Sequence, residues 1–200
     1  MADDRPLSLI AFTPPEPVAD EGAKIAALID EGWAWVHLRH PNEQSLNMIW
    51  LISTIPAEAR RRVKLHEWFD LAKVFNLGGV HLNSRWPTPP ADFVGSISKS
   101  CHTVAEVSEC QGFDYVTLSP VFDSISKPGY MASEFDLSQL PEPRPKIIAL
   151  GGVTPERLGD VKALGFDGAA MLGAIPWQGS VDDVRQFAKQ ASIKSNISVC

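Results

Sequence analysis

Short apolar runs alternate with amphipathic stretches along this chain, the pattern of a parallel sheet wrapped by helices. The runs are Leu7–Phe12, Trp35–Arg39, Val63–His66, Gly79–Leu82, Ser96–Cys101, Tyr115–Leu118, Lys146–Leu150 and Gly168–Leu172. Eight strands within 200 residues fit a closed (β/α)8 TIM barrel, an α/β fold with a single domain over 1–200. An open doubly wound sheet could use the same elements. Its Gly-rich loop after the first strand is absent, however, and Thr13-Pro14-Pro15 stands there.

Punctuation residues place the helices. Ala23–Glu31 carries Ile25, Leu28 and Ile29 on one face and stops at Gly32. Thr154 and Pro155 form an N-cap and first-turn pair, and Gly165 closes that helix. Ser180–Asp183 opens a last helix whose Val181, Val184, Phe187 and Ala191 share a face. Thr103–Glu106 matches a capping box, which sets His102 just outside a helix N-terminus. Asn83–Pro90 is dense in prolines and polar breakers and predicts an irregular fourth connection. The order of the tail from about 193 to 200 is left open, with a disordered end allowed for.

Charge narrows the partners. The net charge is −6, and apart from the short run Arg60–Arg62 Lys and Arg do not cluster, which argues against nucleic acid but leaves an anionic small molecule open. Met1 to Pro6 is too polar for a signal peptide, and no apolar run approaches about 18 residues. No membrane partner and a cytoplasmic location are therefore expected. Cys101, Cys110 and Cys200 are an odd set without metal-ligand spacing, which speaks against a disulfide framework. A homodimer is allowed for, since barrels often dimerise, but no interface can be picked out.

In a barrel of this kind the C-terminal strand ends form the active face, so polar residues that end apolar runs carry weight. Here they are His37-Leu38-Arg39-His40, His66-Glu67, His81 and Ser100-Cys101-His102, followed by Ser119-Pro120 and Ser124–Lys127. Alternation puts His37 and Arg39 on one side and Leu38 on the other. The last two strands end in Gly151-Gly152 and Leu172-Gly173, where small residues let backbone N–H groups approach a phosphate. A strand-ending Gly-Gly can equally be only a turn.

His37-Leu38-Arg39, Gly79–Leu82, Ser100–Thr103, Asp114–Phe122 with Ser124–Lys127, and Ala149–Thr154 resemble, in order and spacing, the thiamine phosphate synthase/TenI family. The similarity runs from the first strand to Ile175. It implies an enzyme of thiamine biosynthesis acting on a phosphorylated thiazole, with two activities to choose from. Synthases (transferases) join a pyrimidine pyrophosphate to thiazole phosphate with Mg2+. TenI-like tautomerases (isomerases) move a proton to aromatise a thiazole phosphate carboxylate, without a cofactor.

Departures from the synthase pattern weigh between them. His66-Glu67-Trp68 replaces Asn-Asp-Arg, Asn83–Trp86 lacks the expected aspartate, Pro41 replaces a lysine and Gly173 a serine, while Arg39, Ser100 and Lys127 remain. Glu67 is then the one metal ligand left for a synthase. His102 matches the family histidine that TenI-like enzymes use as acid/base, and a helix N-terminus would favour its neutral form. The leading expectation is therefore a tautomerase with His102 catalytic, with a synthase as the alternative. Substrate contacts are expected from His37, Arg39, His66, Ser100 and Lys127, and phosphate contacts from Gly151, Gly152, Leu172 and Gly173.

Other readings stand beside these. The plainer alternatives are that His81 satisfies a backbone carbonyl and that Arg39 pairs with Glu67. The six tryptophans are expected mostly to pack, with Trp68 and Trp86 narrowing the pocket. Cys101 is not expected to act with His102, because strand neighbours face opposite sides. His37, His66, His81 and His102 with Glu67 could form a transition-metal site of a hydrolase. A non-catalytic relic of the fold would keep the barrel without the chemistry.

Overall fold

The computed structural model describes residues 5–123, 132–140 and 142–196. Eight parallel strands close into a barrel in chain order: β1 (Ser8–Phe12), β2 (Trp35–Leu38), β3 (Val63–Leu65), β4 (Gly79–Leu82), β5 (Ser96–Cys101), β6 (Tyr115–Leu118), β7 (Lys146–Ala149) and β8 (Gly168–Met171). The expected runs are all present. Arg39, His66, Leu150 and Leu172 fall one residue beyond the ladders, where the chain turns toward the mouth.

The helices are α1 (Glu21–Asp30), α2 (Ser45–Thr54), α3 (Asp70–Val74), α4 (Val104–Ser108), α5 (Leu158–Ala163) and α6 (Val181–Ser195). Ser180 closes a reciprocal capping box with Asp183, as the sequence predicts. Thr154 does not cap through its side chain; a 3-10 turn at Pro155–Arg157 precedes α5 instead. The tail expectation shifts as well. α6 runs through Ser195, anchored by the buried Val184, Ala188 and Ala191, and residues 197–200 lie outside the described residues. The stretch between β4 and β5 has no helix, in line with its breakers. Among the described residues, no helix is long and apolar enough to cross a membrane.

Strand alternation divides the side chains into two sets. Val36, Leu38, Val63, Leu65, Val80, Val116, Leu118, Ile147 and Ala169 point outward into one large core under the helices. Ile10, Phe12, Tyr115, Ile148 and Ala170 form a separate cluster inside the barrel. That inner cluster occupies the β1, β7 and β8 side. On the β2–β5 side the interior holds His37, Lys64, His81 and Ser98, all fully buried. A barrel interior is ordinarily filled by branched aliphatic side chains, so this polar half needs its own account. Gly79 makes room for it: a Cβ there would stand 3.0 Å from Lys64 Cε.

Candidate active site

A cavity of about 650 Å3 opens at the C-terminal end of the strands. Arg39, Glu67, Asn83 and Arg85 line it on the β2–β4 side, and Gly151, Gly152, Leu172 and Gly173 on the β7–β8 side. Ser100, His102 and Ser119 lie between, and Phe12, His66 and Ala170 come from the barrel interior beneath. In an eight-stranded barrel β3 and β7 are diametrically opposed, so the two groups are facing walls.

The first wall is built around Glu67. Its Oε1 accepts the His40 N–H at 2.6 Å. Burial raises the Glu67 pKa, opposed by that hydrogen bond and by the nearby Arg39 and Arg85 guanidinium groups. Arg39 is set by its own N–H, which donates to Thr13 Oγ1 at 3.0 Å. Arg85 is set by Asn83. The Asn83 amide donates to the His66 carbonyl at 2.8 Å, and its Oδ1 accepts the Arg85 N–H at 3.0 Å. Asn83, which opens the stretch that lacks the aspartate of the synthase pattern, thus staples the irregular loop to the end of β3 and presents Arg85. Trp68 and Trp86 do not narrow the cavity; their rings pack on each other at 5.8 Å. Trp50, expected to pack, is 71% exposed.

His102 reaches the cavity from the end of β5. Its Nδ1 lies 3.2 Å from the Ser119 carbonyl oxygen, which can only accept, and 3.4 Å from the Ser119 hydroxyl, so both contacts hold Nδ1 and the carbonyl favours the proton there. The backbone is fixed from the other side: the His102 N–H donates to Glu106 Oε2 at 2.6 Å, and Thr103 Oγ1 accepts from Glu106 N. The expected capping box is present with its return bond moved to His102. Cys101 points away, buried against Cys110, and burial pushes its thiol up to about 12. It is no nucleophile at neutral pH.

On the second wall Gly151 and Gly152 have φ of 98° and 62°. A Cβ on Gly152 would sit 2.2 Å from the Asp123 carbonyl oxygen, and one on Gly151 2.9 Å from Pro120 Cα. The backbone and the loop after β6 therefore require glycine at both positions, whatever binds there. Lys127 lies outside the described residues.

A family model described as thiamine monophosphate synthase matches residues 9–175. The chain belongs to the thiamine phosphate synthase/TenI family, a family of enzymes. Among relatives named thiamine-phosphate synthase, that of Methanoculleus marisnigri is 30% identical over 72% of this chain and 72% of its own. That of Salinibacter ruber is 30% identical over 62% of this chain, and the match spans 59% of the relative. A crystal structure of thiamine phosphate pyrophosphorylase from Bacteroides thetaiotaomicron superposes with a TM-score of 0.76 at 30% identity, covering 94% and 97% of the two chains.

Beneath the cavity lies the polar half of the barrel interior, built around His37, His66 and His81. His37 does not line the cavity as expected of a substrate contact; it is fully buried one layer below. Its Nδ1 is 2.8 Å from His66 Nε2, and its Nε2 is 2.5 Å from the Tyr115 hydroxyl. His81 bonds Ser98 and Ser100 hydroxyls, each at 2.8 Å, rather than a backbone carbonyl. One ligand atom from each of His37, His66 and His81 lies within 4.8 Å of the others, and imidazole suits zinc. Five of the six ring nitrogens already have partners, however, and the positive charge of Lys64 acts on all three rings. His102 and Glu67 stand outside the group. A hydrogen-bonded network describes these residues better than the expected metal site. Sequence reasoning missed Arg85, Lys64 and Tyr115. A lysine alternating with His66 in an apolar run was the available sign of the second.

Proposed function

We propose that the chain is a thiamine phosphate synthase, joining a pyrimidine pyrophosphate to thiazole phosphate. The observation that carries this is the pair of anion-receptive walls facing each other across one cavity. A tautomerase acts on one phosphorylated ring and has use for one such wall. A synthase must hold two phosphorylated molecules at once. The replaced residues also weigh less against a synthase, because Arg85 supplies a guanidinium on the side where Trp68 has replaced one.

Arg39 and Arg85 bind the pyrophosphate and stabilise the charge that grows on it as its bond to the pyrimidine breaks. Gly151, Gly152 and Gly173 receive the thiazole phosphate through backbone N–H groups, which points the ring across the cavity to form the new bond. Glu67 is the carboxylate on the pyrophosphate wall, and one carboxylate plus phosphate oxygens is a sufficient donor set for magnesium. Magnesium held there would supply charge neutralisation on the departing pyrophosphate.

A second reading, the tautomerase, is favoured by one observation: His102 lines the cavity with its Nδ1 held by Ser119, so that Nε2 is the nitrogen left for a substrate proton. Incubation with both phosphorylated substrates and magnesium should yield thiamine phosphate, and Arg85→Ala should lower kcat/KM by roughly ten- to a hundredfold, the worth of a charged hydrogen bond. No thiamine phosphate, with aromatisation of the thiazole carboxylate that His102→Ala abolishes, would overturn the synthase in favour of the tautomerase.

A further inference from the structure

The buried polar half of the barrel holds two hydrogen-bonded chains that start around Lys64 and end at the cavity. At its far end the exposed Asp114 carboxylate accepts from Ser96 Oγ at 2.8 Å. A carboxylate only accepts, so the Ser96 proton is committed outward and Ser96 must itself accept from Lys64 Nζ, 2.6 Å away. Lys64 Nζ also donates to Ser98 Oγ at 3.2 Å and lies over the Tyr115 and Trp35 rings at 4.3 and 4.7 Å. From there two branches climb. One runs Ser98–His81–Ser100, and the other Tyr115–His37–His66. Both end on residues that line the cavity.

Neutral imidazole has one protonated and one bare nitrogen, so each branch can run in either direction. Burial holds all three histidines well below their ordinary range, so they are neutral around pH 7. A cation at the foot of the network breaks the tie. It favours lone pairs facing it and N–H groups facing away. Ser98 then donates to His81 Nδ1, and His81 Nε2–H donates to Ser100, freeing the Ser100 proton for the cavity. Tyr115 donates to His37 Nε2, His37 Nδ1–H donates to His66 Nε2, and the last proton sits on His66 Nδ1.

We propose that Lys64 is a positioning residue whose ammonium sets the direction of both chains, so that Ser100 and His66 act as paired hydrogen-bond donors at the cavity floor. Such a floor takes a ligand by an acceptor, a bare ring nitrogen or an anionic oxygen, and disfavours an N–H there. This assignment stands apart from the choice of reaction, because it concerns which protons the protein itself presents.

Lys64 is surrounded by His37 on β2, His66 on its own strand's continuation, His81 on β4, Asp114 before β6 and Tyr115 on β6. Burial lowers its pKa to about 7, partly opposed by Asp114. The direction should therefore be firm at pH 6 and lost as the ammonium deprotonates.

Histidine tautomers read by long-range 15N–1H NMR test this on the full chain without substrate. At pH 6 the expected forms are Nδ1–H for His37 and His66 and Nε2–H for His81. In Lys64→Met, which keeps the length of the side chain, each should become a mixture; should that variant not fold, raising the pH of the wild type to 9 must produce the same mixing. His81 as Nδ1–H at pH 6, or forms unchanged at pH 9 and in Lys64→Met, would overturn the proposal. So would an equivalent of zinc retained by the untagged protein, since a metal would replace these protons.

Discussion

A neutral imidazole buried in the barrel must take up a proton when the chain unfolds in acid, and three of them titrate here together. Burial lowers His37 and His66 well below 6.5 and His81 to about 3. The unfolded chain thus binds more protons below pH 6.5, and stability present above that pH is lost as pH falls through it. Each group contributes up to about 1.4 kcal/mol per pH unit. Lys64 has the same sign in a higher window. Its folded pKa of about 7 lies below the ordinary 10.5, so stability rises with pH between those values. Cys101 opposes it, because the unfolded thiol ionises above about 9 while the folded one holds its proton to about 12. The thermal midpoint should climb steeply from pH 5 to 6.5, rise further between 7 and 9 as the Lys64 contribution grows, and level off above about 9, where Cys101 opposes it. The double variant His37→Gln, His66→Asn, which replaces two of the imidazoles by amides that do not titrate, should flatten the acid limb. Equal acid limbs in variant and wild type would show that the imidazoles are not the groups being protonated.

At the scale of elements, the junction of β7 with its following loop is fixed by packing as much as by conformation. Gly152 and Gly112 both have positive φ, at 62° and 88°, but only Gly152 has the Asp123 carbonyl where a Cβ would go. Gly112→Ala should cost about 1 kcal/mol, the conformational penalty alone. Gly152→Ala must also push back the loop after β6, and should cost at least about 2 kcal/mol, or some 4–8 °C in Tm. Similar losses in the two variants would mean that the loop yields freely. The same loop carries Ser119, whose carbonyl sets the proton of His102, so Gly152→Ala should also blunt whatever His102 does.

Taken whole, the closed barrel holds its two anion walls on opposite strands, and no element moves both. Pyrophosphate at Arg39 and Arg85 and thiazole phosphate at the glycine wall should therefore bind together. Calorimetry is expected to find the affinity for one within about twofold when the other is saturating, apart from like-charge repulsion, which salt relieves. Arg85→Ala should weaken pyrophosphate alone. Mutual exclusion of the two ligands would reduce the cavity to a single anion site and favour the tautomerase.

The sequence by itself determined the barrel. Eight short apolar runs separated by capped helices have one economical closure, and their periodicity does not depend on distant contacts. It also located the mouth residues Arg39, Glu67, Ser100 and His102, because polar residues that end apolar strands mark that face. Tertiary structure alone decided what those residues meet. His37 was legible as an inward residue but not as one sealed below the cavity, because its depth depends on Phe12 and Tyr115 from strands far apart in sequence. Arg85 lay in a stretch of breakers with no period to place it, and the Asn83 staple together with the Pro41 carbonyl, 3.3 Å from its guanidinium, holds it at the mouth. Lys64 was hidden because a buried cation is tolerable only where serines, aromatic faces and a carboxylate converge. That convergence is a property of the closed sheet, not of any segment.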